Sequence, residues 1–432
     1  MAQDTFSRSV WSAITPPARP APALEGATRA DVAVVGAGFL GLVTALHLAE
    51  AGVDVVLLEA EEPGFGASGR NTGFVVPSLK AHITPAHVKA ALGPEHGERL
   101  FRLVGASGAA VFDLVDRLGL ACDAERTGWL QPAHTPATLR VLEGNRDNWL
   151  TLGRSVDILS PDETTRMSGV AGYHGALFDR TGGQINPLAY ARELARALGA
   201  AGGRLHAGTR VTALTAKDGG WLVETDGGSV QAGRVVLTTN ALVGDLVPAL
   251  DASIVPVRVH QIATQPLPAE LQQRILPRRC PLADTRRHTL AIRWSPDGRL
   301  LTGGLVVPGP APLARAASFF TARLRRYLPG LPALRAEHVW SGVIAATMDS
   351  LPRLYQLGPG LDAVVACNGR GIALTTAMGI EMAKLLTGRV READFVLPRV
   401  ATAPIAGRRL TGVAPAFWLP WNALRDRIEA GR

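Results

Sequence analysis

Residues 31–74 read DVAVVGAGFLGLVTALHLAEAGVDVVLLEAEEPGFGASGRNTGF, and this stretch decides the fold. The apolar run from Asp31 to Val35 predicts a buried parallel strand. A helical apolar pattern follows, and a second buried strand from Val55 to Leu58 closes the unit. Between the first strand and the helix stand glycines at the G-x-G-x-x-G spacing, namely Gly36, Gly38 and Gly41. The sequence therefore predicts a strand–helix–strand unit with a glycine-rich first turn.

The glycine-rich turn has the chemistry of a dinucleotide site. Gly36 permits the tight turn, Gly38 lets the backbone approach a pyrophosphate, and Gly41 allows helix and strand to pack closely. The start of the helix offers unpaired N–H groups and the positive end of its dipole to phosphates. Glu59 follows Gly36 by 23 residues, about where a carboxylate accepts hydrogen bonds from ribose hydroxyls. A plain βαβ unit with a glycine-rich turn stays open as the alternative.

An irregular polar loop follows the second strand. Residues 64–73, GFGASGRNTG, gather many exposed N–H groups, two small hydroxyls at Ser68 and Thr72, and one cation at Arg70. An NAD-binding domain would normally continue into another crossover helix, whereas a polar loop suits a cofactor that extends into a larger polar ring. The alternative is a flexible surface loop without a ligand.

The stretch resembles the N-terminus of the D-amino-acid-oxidase superfamily of FAD-dependent oxidoreductases. Within it, GASGRNTGF is similar to the branch that contains gamma-glutamylputrescine oxidase, beside glycine and sarcosine oxidases. The resemblance implies FAD, with Glu59 at the adenosine ribose and residues 68–73 beside the pyrophosphate and the flavin ring. The cofactor contacts that it implies in this part of the chain are Gly36, Ala37, Gly38, Phe39, Leu40, Gly41, Glu59, Ala60, Ser68, Gly69, Arg70, Asn71, Thr72 and Gly73.

Two later segments resemble further parts of the same site. The strand around residues 209–214 resembles one whose backbone meets the adenine ring at Val211, and a buried strand ends at Asn240 as a further contact. Residues 366–388, ACNGRGIALTTAMGIEMAKLLTG, resemble the C-terminal flavin element. There a helix N-terminus would stabilise the negative charge that appears on flavin reduction. The implied cofactor contacts of this element are Gly369, Arg370, Gly371 and Ile372.

These observations predict an α/β protein. A Rossmann-like FAD-binding domain with a parallel central sheet is interleaved with a mixed-sheet α+β substrate-binding cap domain. An N-terminal arm anchored by Trp11 covers the domain. The predicted boundaries are 1–30 for the arm, 31–85 plus 155–250 plus 335–400 for the FAD-binding domain, 86–154 plus 251–334 for the cap domain, and 401–432 for the tail.

The resemblance implies oxidation of a C–H bond beside an amine. Hydride passes to the flavin and leaves an imine that water hydrolyses, and the electrons pass to oxygen or another acceptor. A neutral amine lone pair drives hydride loss, so the reaction requires no catalytic triad. The candidates for substrate positioning are Arg370, His260 and Trp340.

Three residues that have roles in related enzymes are absent from this sequence, and their absence limits the expected flavin attachment, substrate and electron acceptor. The strand predicted at 340–349 lacks the cysteine that binds flavin covalently in sarcosine oxidases, so noncovalent FAD is expected. Ala373 stands where those enzymes hold the substrate carboxylate with a lysine, and the lysine that activates oxygen is absent near residues 300–303. A sarcosine-type substrate and fast use of oxygen are therefore not expected.

Two other functions stay open. One is a flavin-bound electron-transfer subunit of a larger complex, whose electrons leave to a partner. The other is a flavin-dependent hydroxylase, which shares the first βαβ unit. Hydroxylases carry a Gly-Asp pair before the last flavin helix, and residues 368–371, NGRG, lack it.

The bulk composition excludes several other classes. The formal charge of +8 comes almost entirely from scattered arginines, with no run of five like charges, which argues against nucleic acid. Three widely spaced cysteines give neither disulfide nor metal spacing. No apolar run reaches the length of a membrane span, and no signal peptide is recognisable, so the cytoplasm is the expected location. In the tail, Phe417, Trp418 and Trp421 suggest either a membrane-surface anchor or a segment packed on the protein.

Overall fold

The computed structural model describes residues 5–365, 368–408, 411 and 415–429. Its helices are α1 Val10–Ile14, α2 Phe39–Glu50, α3 Pro85–Leu92, α4 Pro94–Leu118, α5 Pro136–Leu150, α6 Pro161–Ser168, α7 Pro187–Ala200, α8 Pro248–Ala252, α9 Ala269–Arg274, α10 Pro312–Tyr327, α11 Gly371–Leu386 and α12 Pro415–Glu429. Short 3-10 turns lie at Phe6–Arg8, Ser68–Arg70, Asn240–Leu242, Gly244–Leu246 and Glu392–Asp394.

The strands form two large sheets and one short pair. They are β1 Gly26–Val35, β2 Val55–Leu58, β3 Phe74–Val75, β4 Trp129–Pro132, β5 Val156–Leu159, β6 Ala176–Asp179, β7 Gly183–Gln184, β8 Arg204–His206, β9 Val211–Lys217, β10 Gly220–Thr225, β11 Gly228–Leu237, β12 Val255–Pro266, β13 Leu282–Ala283, β14 Ala291–Trp294, β15 Arg299–Gly304, β16 Ala336–Ala346, β17 Arg353–Gly358, β18 Leu361–Val365 and β19 Arg399–Val400.

The first sheet is parallel at its centre. Strands β18, β11, β1, β2 and β8 lie side by side in this order, all parallel. Val32 and Val34 of β1 pack against α2 and α7, while Ala33 and Val35 pack under the β9–β10 hairpin. Both faces of β1 are covered, which explains its unbroken apolar run. The predicted Rossmann-like sheet is confirmed.

The second sheet is mixed. Its strand order is β16-β12-β15-β14-β13-β4-β6-β5, and only β13 and β4 are parallel neighbours among its described pairs. Helix α10 packs on one face through Ala316, Phe320 and Leu324, which join Ile262 in one apolar cluster. The opposite face carries Trp340 and faces the first sheet's polar loop. The sheet thus matches the predicted mixed cap.

Sheet membership differs from the predicted domain boundaries at three strands. Strands β5, β6 and β16 pair within the second sheet, although the prediction assigned residues 155–250 and 335–400 to the FAD-binding domain. The chain therefore changes sheet more often than predicted, because short strands carry no local signal for the sheet that they join. Strand β1 also begins earlier than predicted, at Gly26 within the predicted arm.

Both ends of the described chain are anchored. Trp11 is fully buried, which confirms the predicted anchor of the arm, while residues 1–4 lie outside the described part. Helix α12 docks through Leu419 and Asp426, whereas Phe417 is 78% exposed. Asp426 accepts hydrogen bonds from Arg287. Cys367 and residues 366, 409–410, 412–414 and 430–432 lie outside the described part. None of the described helices is long and apolar enough to cross a membrane.

Candidate active site

The glycine turn after β1 is as tight as predicted. Gly36 has a φ of +103°, in the region that favours glycine. A Cβ on Gly41 would lie 2.0 Å from the carbonyl oxygen of Gly36 and 2.6 Å from Oγ1 of Thr238. A Cβ on Gly38 would lie 3.0 Å from Oγ of Ser68. Gly41 thus permits helix–strand contact, while Gly38 keeps the mouth of the turn open.

Glu59 closes the turn from the end of β2. Its Oε2 accepts a hydrogen bond from the N–H of Ala37 at 2.7 Å, and its Oε1 accepts one from Glu61 at 3.1 Å. Burial raises the pKa of the Glu59 carboxyl, and these two N–H groups oppose the rise. The N–H of Thr209 donates to the Glu59 carbonyl at 2.7 Å, which brings the start of β9 and the buried Val211 beside the carboxylate.

The polar loop 64–73 folds back over the start of α2. Oγ of Ser68 accepts a hydrogen bond from the N–H of Phe39 at 3.1 Å. Asn71 braces the loop internally, since its Nδ2 donates to the carbonyl of Ser68 at 2.7 Å and its Oδ1 accepts from the N–H of Gly73 at 2.8 Å. The loop is therefore an ordered wall beside the helix N-terminus, and not a flexible surface loop.

A cleft that is partly open to solvent lies between this loop, the N-terminus of α2 and the N-terminus of α11. Helices α2 and α11 pack closely along their length, since a Cβ on Gly379 would lie 2.8 Å from Cβ of Val43. The residues that line the cleft are Gly38, Phe39, Leu40, Ala67, Ser68, Asn71, Thr238, Asn240, Ile344, Val364, Gly369, Gly371 and Thr375. Two helix dipoles thus direct their positive ends at one cavity.

The cleft fits an anionic dinucleotide with a polar ring. Oδ1 of Asn240 is buried without a hydrogen-bond partner among the described residues, and Asn240 lines the cleft. A buried amide oxygen normally has a partner, so its position indicates a missing donor. The open approach at Gly38 and the two helix N-termini suit phosphate groups. These features are consistent with FAD.

Arg370 lies in the turn between Gly369 and Gly371, at the N-terminus of α11. Its Nη1 donates to Oγ of Ser78 at 2.8 Å, and its Cζ lies 5.1 Å from the ring centroid of Trp129. Loss of solvent lowers the pKa of its guanidinium to about 10. No carboxylate of the described residues forms an ion pair with it, so the cation is available to an anionic ligand.

None of the three predicted substrate-positioning residues is among those that line the cleft, although Arg370 lies between two that do. His260 and Ile262 are two residues apart on β12, so their side chains point to the same face of the second sheet. That face packs under α10, and the imidazole of His260 therefore points away from the polar loop. Trp340 is on the opposite face but is fully buried, and its indole N–H donates to the carbonyl of Arg70 at 2.8 Å. Neither side chain lines the cleft, and contact of either one with the substrate stays a prediction.

The cleft combines predicted and unpredicted residues. Eight of its lining residues were predicted, namely Gly38, Phe39, Leu40, Ser68, Asn71, Asn240, Gly369 and Gly371. Ile372 and Val211 are buried in the core and do not line it. Sequence analysis missed Ala67, Thr238, Ile344, Val364 and Thr375. Thr238 carried a usable signal, because it directly follows the buried strand β11, which ends at Leu237.

Comparisons with known proteins agree with this geometry. Residues 31–385 match the family model described as FAD dependent oxidoreductase. Gamma-glutamylputrescine oxidoreductase of Escherichia coli is 31% identical over 401 residues, 92% of this chain and 93% of that protein. A probable oxidoreductase, OrdL, of Rhizobium meliloti is 31% identical over 428 residues, 97% of both chains.

Solved structures share the fold. L-proline dehydrogenase from P. horikoshii superposes with a TM-score of 0.71 at 19% identity, covering 85% of this chain and 95% of that chain. Glycine oxidase from Geobacillus kaustophilus superposes with a TM-score of 0.69 at 22% identity, covering 84% of this chain and 95% of that chain.

Proposed function

Since the chain belongs to the D-amino-acid-oxidase family of FAD-dependent oxidoreductases, we propose that it oxidises the carbon–nitrogen bond of an amine or amino acid that carries a carboxylate. The bound FAD accepts the electrons and is held without a covalent bond. The small-molecule partners are this substrate and oxygen or another electron acceptor. We place the reaction in the cytoplasm.

The observation that carries the substrate class is the guanidinium of Arg370. Arg370 lies between Gly369 and Gly371, which line the cleft, while its own side chain contacts Ser78 and Trp129. Loss of solvent lowers its pKa to about 10, and no described carboxylate neutralises it. A half-buried cation of this kind gains from an anionic ligand that brings its own charge. Arg370 is therefore the residue that would bind and orient the substrate carboxylate.

The relatives favour the same class. One curated relative is named for gamma-glutamylputrescine, and others are named for glycine and dimethylglycine. Leu40, Ile344 and Val364 give the cleft an apolar side opposite its polar loop. An aliphatic amine with a carboxylate at its other end would contact both the apolar side and the polar side of the cleft.

FAD supplies the two-electron oxidant for the C–N bond when it is bound. The chain's own residues bind and orient. Glu59 would accept hydrogen bonds from the ribose, the N-terminus of α2 would receive the phosphates, and the α11 N-terminus would favour negative charge on the ring. Because positioning accounts for the protein's share of catalysis, no acid–base pair is required at the substrate.

We also propose a revised division of the chain. The first sheet with α2, α7 and α11 forms the FAD-binding domain, and the second sheet with α10 forms the cap domain. Strands β5, β6 and β16 then belong to the cap.

Anaerobic mixing with matched substrate pairs tests the proposal. Each pair consists of a carboxylated amine and its analogue without the carboxylate, such as gamma-glutamylputrescine with gamma-aminobutyrylputrescine, which lacks only that group. The flavin absorption of the wild-type protein should bleach with the carboxylated member only, and Arg370→Met should remove that preference. Equal bleaching by both members in the wild-type protein would exclude the carboxylate, and bleaching by no amine would exclude amine oxidation. A colourless protein that fails to take up FAD would exclude the cofactor site itself.

A further inference from the structure

Four consecutive carbonyl oxygens of the polar loop accept hydrogen bonds from buried side chains. Trp340 donates its indole N–H to the carbonyl of Arg70, and Trp11 donates its indole N–H to the carbonyl of Asn71, both at 2.8 Å. Nη1 of Arg293 donates to the carbonyls of Thr72 and Gly73, at 3.2 Å and 3.1 Å. Every carbonyl of residues 70–73 is therefore held by at least one buried side chain, and that of Gly73 also accepts from the N–H of Ile185 at 2.9 Å.

The three donors form one unit although they come from distant parts of the chain. Trp11 belongs to α1, Arg293 to β14 and Trp340 to β16, and all three are fully buried. Cζ of Arg293 lies 5.1 Å from the ring centroid of Trp11. None of the three lines the cleft, so the carbonyls that they bind point away from it.

Arg293 is held by carbonyl dipoles in place of a carboxylate. Besides the loop, its Nη1 donates to the carbonyl of Ile185 at 2.6 Å, and its Nε donates to the carbonyl of Trp294 at 3.0 Å. No described carboxylate forms an ion pair with it, and burial lowers its pKa to about 9. Burial of a cation without a carboxylate partner carries a large desolvation penalty, which indicates that Arg293 does more than pack in the core.

The orientation of these carbonyls has an electrostatic consequence. In a trans peptide group the N–H and the C=O point in opposite directions. Holding the carbonyls of residues 70–73 away from the cleft keeps their negative ends away as well. The N–H groups of the same peptides, which belong to residues 71–74, are then directed toward the cleft side, where the N–H of Gly73 donates to Oδ1 of the cleft-lining Asn71 at 2.8 Å. Such a surface stabilises negative charge that develops on a bound ring.

We propose that Trp11, Arg293 and Trp340 are positioning residues that raise the reduction potential of the bound flavin by holding the carbonyls of residues 70–73 away from it. The inference rests on the proposed FAD site. It does not depend on the identity of the substrate.

A matched pair of tryptophan variants tests the inference. Trp340→Phe removes one buried indole N–H from the loop. Trp294→Phe removes the same group from the same sheet, because the fully buried Trp294 donates to the carbonyl of Ile275 at 2.7 Å. The reduction potential of the FAD-loaded proteins is measured by redox-dye titration, and their melting temperatures are measured in parallel.

Trp340→Phe should lower the equilibrium constant for reduction about tenfold, which corresponds to about 30 mV for a two-electron couple. Trp294→Phe should leave the potential unchanged at a similar loss of melting temperature. Trp11→Phe, from another part of the chain, should repeat the shift, and it replaces Trp340→Phe if that variant does not fold. Equal potentials in all variants that hold FAD would overturn the inference. A wild-type protein that holds no FAD would instead overturn the cofactor site.

Discussion

The indole N–H of Trp340 and the carbonyl of Arg70 lie 2.8 Å apart, 270 residues from each other along the chain. This bond joins β16 of the second sheet to the loop that follows β2 of the first sheet. Residues of both sheets therefore hold the wall of the cleft in place. Trp340, which the sequence suggests as a substrate-positioning residue, is fully buried behind this wall and holds the loop through its indole N–H.

Replacing Glu59 with Gln should weaken FAD binding by about 10-fold to 100-fold. A hydrogen bond to a charged group contributes about 1.5–3 kcal/mol, and the amide offers only one acceptor oxygen in place of two. Isothermal titration of the flavin-free protein with FAD measures the change. Glu61→Gln is the control, because the only hydrogen bond from Glu61 to the Glu59 carboxylate comes from its backbone N–H, which this change keeps. Equal affinity of Glu59→Gln and the wild-type protein would remove the ribose role.

FAD binding should also depend on the protonation of Glu59. Because burial raises the pKa of this carboxyl, it takes up its proton at a higher pH than an ordinary glutamate. Folding of the flavin-free protein is then favoured by the protonated form, and this contribution is lost as the pH rises through the raised pKa. FAD affinity should change in the opposite sense and fall on acidification. The dissociation constant measured against pH should show this step in the wild-type protein and lack it in Glu59→Gln.

Two glycines of the same turn should respond differently to alanine. Gly41→Ala should destabilise the protein by about 3 kcal/mol or more, because its Cβ would lie 2.0 Å from the Gly36 carbonyl oxygen. Gly38→Ala should fold but bind FAD poorly, since its Cβ meets only the Ser68 hydroxyl and points into the mouth of the turn. Gly144→Ala is the control, with no atom within 4 Å of the added Cβ. Urea unfolding and FAD titration of the three variants check the prediction, which fails if Gly38→Ala retains full affinity.

Arg370 should make carboxylate binding sensitive to alkaline pH. Its pKa is lowered to about 10, so the free protein loses this cation as the pH rises through that value. The binding of a carboxylated ligand should therefore weaken above about pH 10, while its analogue without the carboxylate should bind independently of this step. Flavin absorption changes during ligand titration measure both. If the pH-dependent step persists in Arg370→Met, a group other than Arg370 is responsible for it.

Removing the carboxylate of Asp426 should release the C-terminal helix. Asp426 is buried and accepts hydrogen bonds from Nη1 of Arg287 and from the backbone N–H groups of Arg287 and His288. Asp426→Ala leaves the backbone N–H groups of Arg287 and His288 without an acceptor at a cost of about 1–3 kcal/mol each, while the Arg287 side chain keeps Glu429. Limited proteolysis should cut α12 faster, whereas the exposed Arg425→Gln should not change the rate. His134 and Glu429 lie beside this carboxylate, but Arg287 already neutralises both acidic groups.

The local pattern around the first turn was sufficient to predict the dinucleotide half of the site. The positions of Gly36, Gly38, Gly41 and Glu59 follow from a unit of about 30 consecutive residues, in which each contact is short-range. The amino-acid composition was enough to locate the ordered loop. It could not predict the hydrogen bonds that the loop makes to Trp11 and Arg293. Such bonds join residues that are far apart in sequence and leave no periodic signal.

Sequence alone thus determined the fold class and the position of the dinucleotide turn, because periodicity and glycine spacing are local properties, and the family resemblance of the same stretch implied FAD. Tertiary structure decided which side chains reach the cleft. Adjacent residues of a strand point to opposite faces, so a shift of one residue exchanges His260 for Gln261, and only the pairing with β15 and β16 fixes the face. The same long-range pairing buried Trp340 behind the loop and set Arg370 beside Ser78, 292 residues away.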